Sequence, residues 1–279
     1  MDPKMLLCVI CMAVCLFFAC DLDGFLFNSR ELDQYQLPGN TIPDSLLTPV
    51  TFKSETYTLY GYWVQSNGQR AGITLLYCHG NKHHLDHYWD RVMWLHRLGI
   101  NVFVFDYRGF GRSEGETSEA GLYKDGEAAL KYVLSRKETN PDSLCFYGYS
   151  LGNVVSIYLA AEKFDPLCLF AESPFASANS LTQGSIGLDI PAGWLTEGEF
   201  NNAERIKKIK TPFLLLHGTD DDLVRYRDNG RIVFENAPEP KEQIVISGAT
   251  HTDIPGIMAV DDYLEHICDW IDYSISISE

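Results

Sequence analysis

From Ile73 onward the chain alternates short, nearly continuous apolar runs with helix-length amphipathic segments, and few folds accommodate that alternation. The runs are ITLLYC, NVFVFDY, SLCFYGY, LCLFAE, TPFLLLHG and EQIVISG; between them lie YWDRVMWLHRLG, LYKDGEAALKYVLSRK and LGNVVSIYLAAEK, among others. A strand apolar on both faces has to be covered on both faces. The pattern therefore predicts an α/β fold, a mostly parallel central sheet with helices on either side. Upstream, TPVTFKSE and YTLYGYWVQ alternate around a turn, as an antiparallel pair at a sheet edge does. Ligands of such sheets bind beyond the carboxyl ends of the strands, so chemistry is expected in the residues that follow each run. The interval from about Phe175 to Lys210 is too long for a plain crossover and reads as a small lid. Phe175, Leu181, Ile186, Leu188, Ile190, Trp194 and Leu195 within it can wall an apolar pocket.

The run SLCFYGY leads into Gly148-Tyr149-Ser150-Leu151-Gly152, and a helical pattern follows at once. Gly148 and Gly152, two residues to either side of Ser150, permit a sharp strand-to-helix turn that lifts its hydroxyl clear of the sheet. At the helix N-terminus, free N–H groups and the dipole favour developing negative charge. Glycine and serine also make ordinary turns, so it is the strand-turn-helix placement that gives this motif its meaning. A serine hydroxyl needs a neighbouring base before it becomes a nucleophile. Two later strand ends supply candidates: TPFLLLHG runs into Thr219-Asp220-Asp221-Asp222, and EQIVISG into Ala249-Thr250-His251-Thr252-Asp253. Alone, His251 reads as a solvated loop histidine and the aspartates as helix caps. Together with Ser150, in the chain order Ser-Asp-His, they read as a triad of nucleophile, orienting acid and base. The run ITLLYC ends in His79-Gly80-Asn81. There the backbone N–H of Asn81, with that of Leu151 after the serine, can form an oxyanion hole.

These residues resemble the α/β-hydrolase superfamily over most of the chain, from about Thr48 to the C-terminus. The pattern is similar to the branch with serine-aminopeptidase-like and acyl-protein-thioesterase-like members. The likeness rests on His79-Gly80-Asn81, Asp106-Tyr107-Arg108-Gly109-Phe110-Gly111-Arg112-Ser113, Gly148 to Gly152, Glu172-Ser173-Pro174-Phe175, His217-Gly218 with Asp221, and His251. It implies an α/β-hydrolase fold, a structural role for the Asp106–Ser113 run, and Asp221 as the triad acid through the spacing His-Gly-x-x-Asp-x-x-Val. Asp220 is then expected to shape the turn, and Asp222 to cap a helix starting near Leu223. The implied activity is hydrolysis of an ester or thioester through an acyl-enzyme, without a cofactor. The alternatives are a serine aminopeptidase or amidase acting on a short peptide, and a non-catalytic hydrolase-fold binding protein. The fold serves many chemistries and names the reaction class better than the substrate.

The termini and the charge set further bounds. Met5 to Ala19 is an almost unbroken apolar run ending at Ala19-Cys20 and followed by acidic DLD, so residues 1–20 read as a signal peptide. A small residue before cysteine resembles a lipoprotein signal, with Cys20 bearing lipid; an ordinary cleaved signal or a short uncleaved anchor is the other reading. Either places the protein outside the cytoplasm, and a lipid on Cys20 would hold it to a membrane. Residues 21–45, polar and turn-rich with Pro38-Gly39 and Pro43, read as a tether, and 46–279 as the hydrolase domain with its lid at about 175–210. A formal net charge of −16 argues against nucleic acid as a partner. Cys78, Cys145, Cys168 and Cys268 are widely spaced in apolar surroundings and suit buried thiols. His83, His84 and His87, with Asp86 and Asp90, could face a metal, but their place at the start of a helix suits polar surface, and no metal is assigned.

Overall fold

The computed structural model describes residues 27–181 and 199–278. Among these, eight strands form one sheet: β1 (Leu47–Ser54), β2 (Tyr57–Val64), β3 (Thr74–Cys78), β4 (Asn101–Phe105), β5 (Leu144–Tyr149), β6 (Leu169–Glu172), β7 (Phe213–Gly218) and β8 (Lys241–Ile246). Their order is 1-2-4-3-5-6-7-8. The β1/β2 and β2/β4 pairs are antiparallel, and the remaining pairs are parallel. This is the α/β-hydrolase fold, as the run of strands and helices leads one to expect. Strands β3 to β7 are buried along their whole length, whereas β8, at the sheet edge, is largely exposed or half-buried.

Helices cover both faces. On one side lie α1 (Trp89–His96) and the C-terminal α7 (Val260–Ser278), whose buried Tyr263, Leu264, Ile267, Trp270, Ile271 and Ser274 form one helical stripe. On the other lie α2 (Glu119–Ser135) and α3 (Gly152–Glu162). Ser118 caps α2 by accepting the Gly121 N–H. Nearly every residue of α3 is buried, because it is wedged between β5 and α2. Shorter helices follow: α4 (Asn202–Arg205), α5 (Gly230–Asn236) and α6 (Ile254–Met258). Cys78, Cys145 and Cys168 are free and buried, and Cys268 is half-buried.

The stretch expected to be a tether is corrected by the structure where it is described. Residues 27–45 are strapped across the domain, with Phe27, Tyr35 and Ile42 buried. The pair Asn28–Ser29 runs parallel to Lys82–His83. Arg30 and Leu32 exchange backbone hydrogen bonds with Gly111, and the Tyr35 hydroxyl donates to Asp106 Oδ2 at 2.6 Å. Three isolated apolar side chains among polar ones have no period, so nothing in the pattern separates this strap from a linker. Cys20 and the leader lie outside the described residues, as do lid residues Ile186, Leu188, Ile190, Trp194 and Leu195. No helix among the described residues is long and apolar enough to cross a membrane.

Asp106, fully buried at the end of β4, gathers this corner of the molecule. It accepts from Tyr35 and, at 2.7 Å, from the Leu85 N–H, and its Oδ1 lies 3.0 Å from His79 Nε2. The adjoining run is structural as expected: Arg108 pairs with buried Asp125 at 2.8 Å and with Glu55 at 3.0 Å, and the Ser113 hydroxyl donates to the Asp106 carbonyl. Tyr35→Phe removes one donor from a buried carboxylate. It should lower stability by about 1.5–3 kcal/mol, read from the urea midpoint at unchanged m-value.

Candidate active site

Each candidate side chain stands just past a strand carboxyl end: Asn81 after β3, Ser150 after β5, Asp221 after β7 and His251 after β8. Ser150 has φ of 51°, a left-handed backbone that serine seldom adopts. The turn closes because its neighbours are glycines. A Cβ at Gly148 would meet Ser156 Oγ at 2.3 Å, and one at Gly152 would meet the Cys78 carbonyl oxygen at 1.9 Å. The Ser150 N–H donates to the Glu172 carbonyl, and the Asn153 side-chain amide donates to the carbonyls of both Ser150 and Glu172.

The fold brings the three expected residues together. His251 Nε2 is 2.9 Å from Ser150 Oγ, and His251 Nδ1 is 2.8 Å from Asp221 Oδ2. Asp221 is buried, whereas Asp220 and Asp222, on either side of it, are both exposed. Asp220 accepts a hydrogen bond from the Thr219 hydroxyl. The expected helix cap at Asp222 is corrected: no helix starts at Leu223, and Asp221 itself closes the turn by accepting the N–H groups of Leu223 and Val224. Burial pushes the Asp221 carboxyl up. Hydrogen bonds from His217, His251 and the Val224 N–H outweigh it and hold the group well below the usual carboxylate range. Asp221 is therefore ionised at neutral pH.

Several contacts around these residues escaped the sequence reading. Buried His217 Nε2 meets the Val224 carbonyl at 2.7 Å and lies 3.4 Å from Asp221 Oδ2, so Asp221 has two imidazole neighbours. The loop carrying His251 is held through two carbonyls. The Tyr149 hydroxyl donates to that of His251 at 3.0 Å, and Arg91 Nη2 donates to that of Thr252 at 3.2 Å. Arg91 also lies over the Tyr149 ring and pairs with buried Glu172 at 2.6 Å. Burial pushes the Glu172 carboxyl up, but Arg91 and the donating hydroxyls of Tyr147 and Tyr263 bring it below its ordinary value. The residue pair Glu172-Ser173 was legible as a motif; its partner Arg91, in mid-helix, carried no signal.

Ser150, Leu151 and Asn81 line one cavity of about 130 Å³ together with Phe27, Phe175, Ala178, Leu181, Phe200, Leu223 and Val224. Part of this wall is pinned: the Ala178 N–H donates to the Glu199 carbonyl, and the Asn202 amide to that of Phe175. Among the described residues the lining is almost wholly apolar and aromatic. Of the histidine cluster, burial pulls His87 down to about 4, and the Asp86 carboxylate accepts the Gln36 N–H from the strap. Among the described residues no three His, Cys, Asp or Glu side chains converge as a metal ion requires.

Comparison with known proteins points to the same fold. A family model described as serine aminopeptidase, S33, matches residues 69–179. The uncharacterized protein YfhR of Escherichia coli is 31% identical over 223 residues, 76% of either chain. The alpha/beta hydrolase domain-containing protein 17B of Homo sapiens is 32% identical over 189 residues, 66% of this chain and 62% of its own. An esterase of Pyrococcus furiosus superposes with a TM-score of 0.70 at 21% identity, over 88% of this chain and 97% of the esterase.

Arg91→Met would strand the buried Glu172 charge. Removal of one partner from such a pair should destabilise the fold by about 3–5 kcal/mol, measured by denaturant unfolding. Arg91→Met combined with Glu172→Gln should recover part of that loss.

Proposed function

We propose that the protein is a serine hydrolase of the α/β-hydrolase superfamily that cleaves an ester or thioester. The observation that carries this reading is the Ser150–His251–Asp221 hydrogen-bond chain opening on an apolar cavity. In the proposed reaction His251 Nε2 takes the hydroxyl proton as Ser150 Oγ attacks the carbonyl carbon. The oxyanion is met by the N–H groups of Asn81 and Leu151. As the tetrahedral species collapses, the imidazolium returns the proton to the departing alkoxide or thiolate, leaving an acyl-serine. Water then attacks that ester by the same steps. Asp221 keeps the proton on His251 Nδ1 and stabilises the imidazolium.

The family model's description favours a second reading, a serine aminopeptidase. A peptide ammonium needs an acidic partner, and the described cavity lining holds no carboxylate. An acyl group fits that lining better. We also carry forward the proposal that lipid on Cys20 holds the protein to a membrane. Cys20→Ser should then move it from the membrane to the soluble fraction.

A fluorophosphonate should label the protein one to one, and Ser150→Ala should abolish both the label and turnover of p-nitrophenyl esters. Full labelling of Ser150→Ala would sink the assignment, and an unlabelled, inactive wild type would favour a binding protein. Asp221→Asn should lower kcat by about 10⁴, the size known for the equivalent change in a serine protease. The same change at Asp220 or Asp222 should cost far less. Aminoacyl anilides turned over in preference to esters would favour the peptidase.

A further inference from the structure

The strap that the sequence presents as a linker reaches the reacting centre. Phe27 is buried in the same cavity as Ser150, edge-on to Phe200 at 6.3 Å and to Phe110 at 6.4 Å. The next residue, Asn28, donates its backbone N–H to Asn81 Oδ1 at 3.1 Å. Asn28 and Ser29 then run parallel to Lys82 and His83, and the Arg30 N–H donates to the His83 carbonyl at 3.0 Å.

The loop His79-Gly80-Asn81 is fixed firmly on its β3 side and otherwise on its far side. The Tyr107 hydroxyl donates to the His79 carbonyl at 2.9 Å, and His79 Nε2 is 3.0 Å from Asp106. Beyond Asn81, the contacts come from Tyr88, whose hydroxyl accepts the Lys82 N–H, and from the strap. A peptide N–H takes its direction from the residues on either side of it. The strap therefore helps decide where the Asn81 N–H points.

We propose that Phe27–Arg30 is part of the active site: the Asn28 N–H orients the oxyanion loop through Asn81, and the Phe27 ring closes the acyl end of the cavity. Asn28 acts as a positioning residue through its main chain, and Phe27 as a specificity-determining one. The assignment rests on the serine-hydrolase reading above and adds to it a segment outside the strand-and-helix scaffold. Such a backing bond matters because an oxyanion donor works only when it is aimed at the atom on which charge develops, and small misplacements are costly.

The test uses the full-length chain and p-nitrophenyl esters of graded length. Asn28→Pro deletes the donor N–H, and Asn81→Ala deletes the acceptor while keeping the Asn81 N–H. Each should lower kcat about tenfold with KM nearly unchanged, less than the 10²–10³ of outright donor loss. The double variant should be no slower than either single one, because both remove one bond. Phe27→Ala should shift the preference toward longer acyl chains. Unchanged kcat in both single variants, or losses that multiply in the double one, would overturn the proposal while an active, labelled wild type leaves the hydrolase reading standing. A wild type that neither labels nor turns over overturns both. Thermal melts separate these outcomes from unfolding, which would depress the yield of active enzyme and not the kcat per labelled site.

Discussion

The site depends on holding Ser150 in a left-handed backbone at the end of β5. That conformation costs about 1–3 kcal/mol and persists only where the surroundings fix it. Here α3 is drawn so close to the ends of β3 and β5 that side chains at 148 and 152 would collide with Ser156 and with the Cys78 carbonyl. The hydrogen bonds from Ser150 and Asn153 to the Glu172 carbonyl tie the turn to the next strand. The elbow is thus a property of three strands and a helix, and the glycines are what let them meet.

Glu172 carries the constraint onward. Its carbonyl holds the elbow while its carboxylate holds Arg91, and Arg91 reaches the Thr252 carbonyl beside the base. Tyr149, next to the serine, completes the circuit by bonding the His251 carbonyl. A buried ion pair of this kind offers little net stability over an apolar replacement. Its value here is geometric, since it links the turn bearing the serine to the loop bearing the histidine. Asp106 does the comparable work on the opposite side of the cavity, where it joins the His79–Asn81 loop to the N-terminal strap.

Two environments therefore meet at Ser150. On one side, Asp221 is ionised and flanked by two imidazoles, which suits a base that must become charged during turnover. On the other, three phenylalanines and aliphatic side chains make up most of the described lining. In the proposed reaction, charge would be stabilised over a very short distance while the acyl group meets the apolar wall.

The sequence by itself determined the fold class and named the three residues, Ser150, Asp221 and His251, that the fold brings within hydrogen-bond distance of one another. Continuous apolar strands require a sheet covered on both faces, and Gly148, Gly152 and the residues after β7 and β8 carry local signals that do not depend on distant parts. The resemblance to α/β-hydrolases, through the pattern His-Gly-x-x-Asp-x-x-Val, also singled out Asp221 from three consecutive aspartates. Only the tertiary structure decided what depends on contacts between residues far apart in the chain. Arg91 finds Glu172 across 81 positions, His217 turns toward Asp221 inside a buried turn, and Phe27 enters the cavity from a segment without periodicity. The cap expected at Asp222 failed for the same reason: a local rule assumed a helix there, but the chain forms a turn that Asp221 closes while it also holds His251. Periodicity reports which face of an element is buried. It cannot report which distant partner a single polar or aromatic side chain will meet, because that is fixed only when the layers pack.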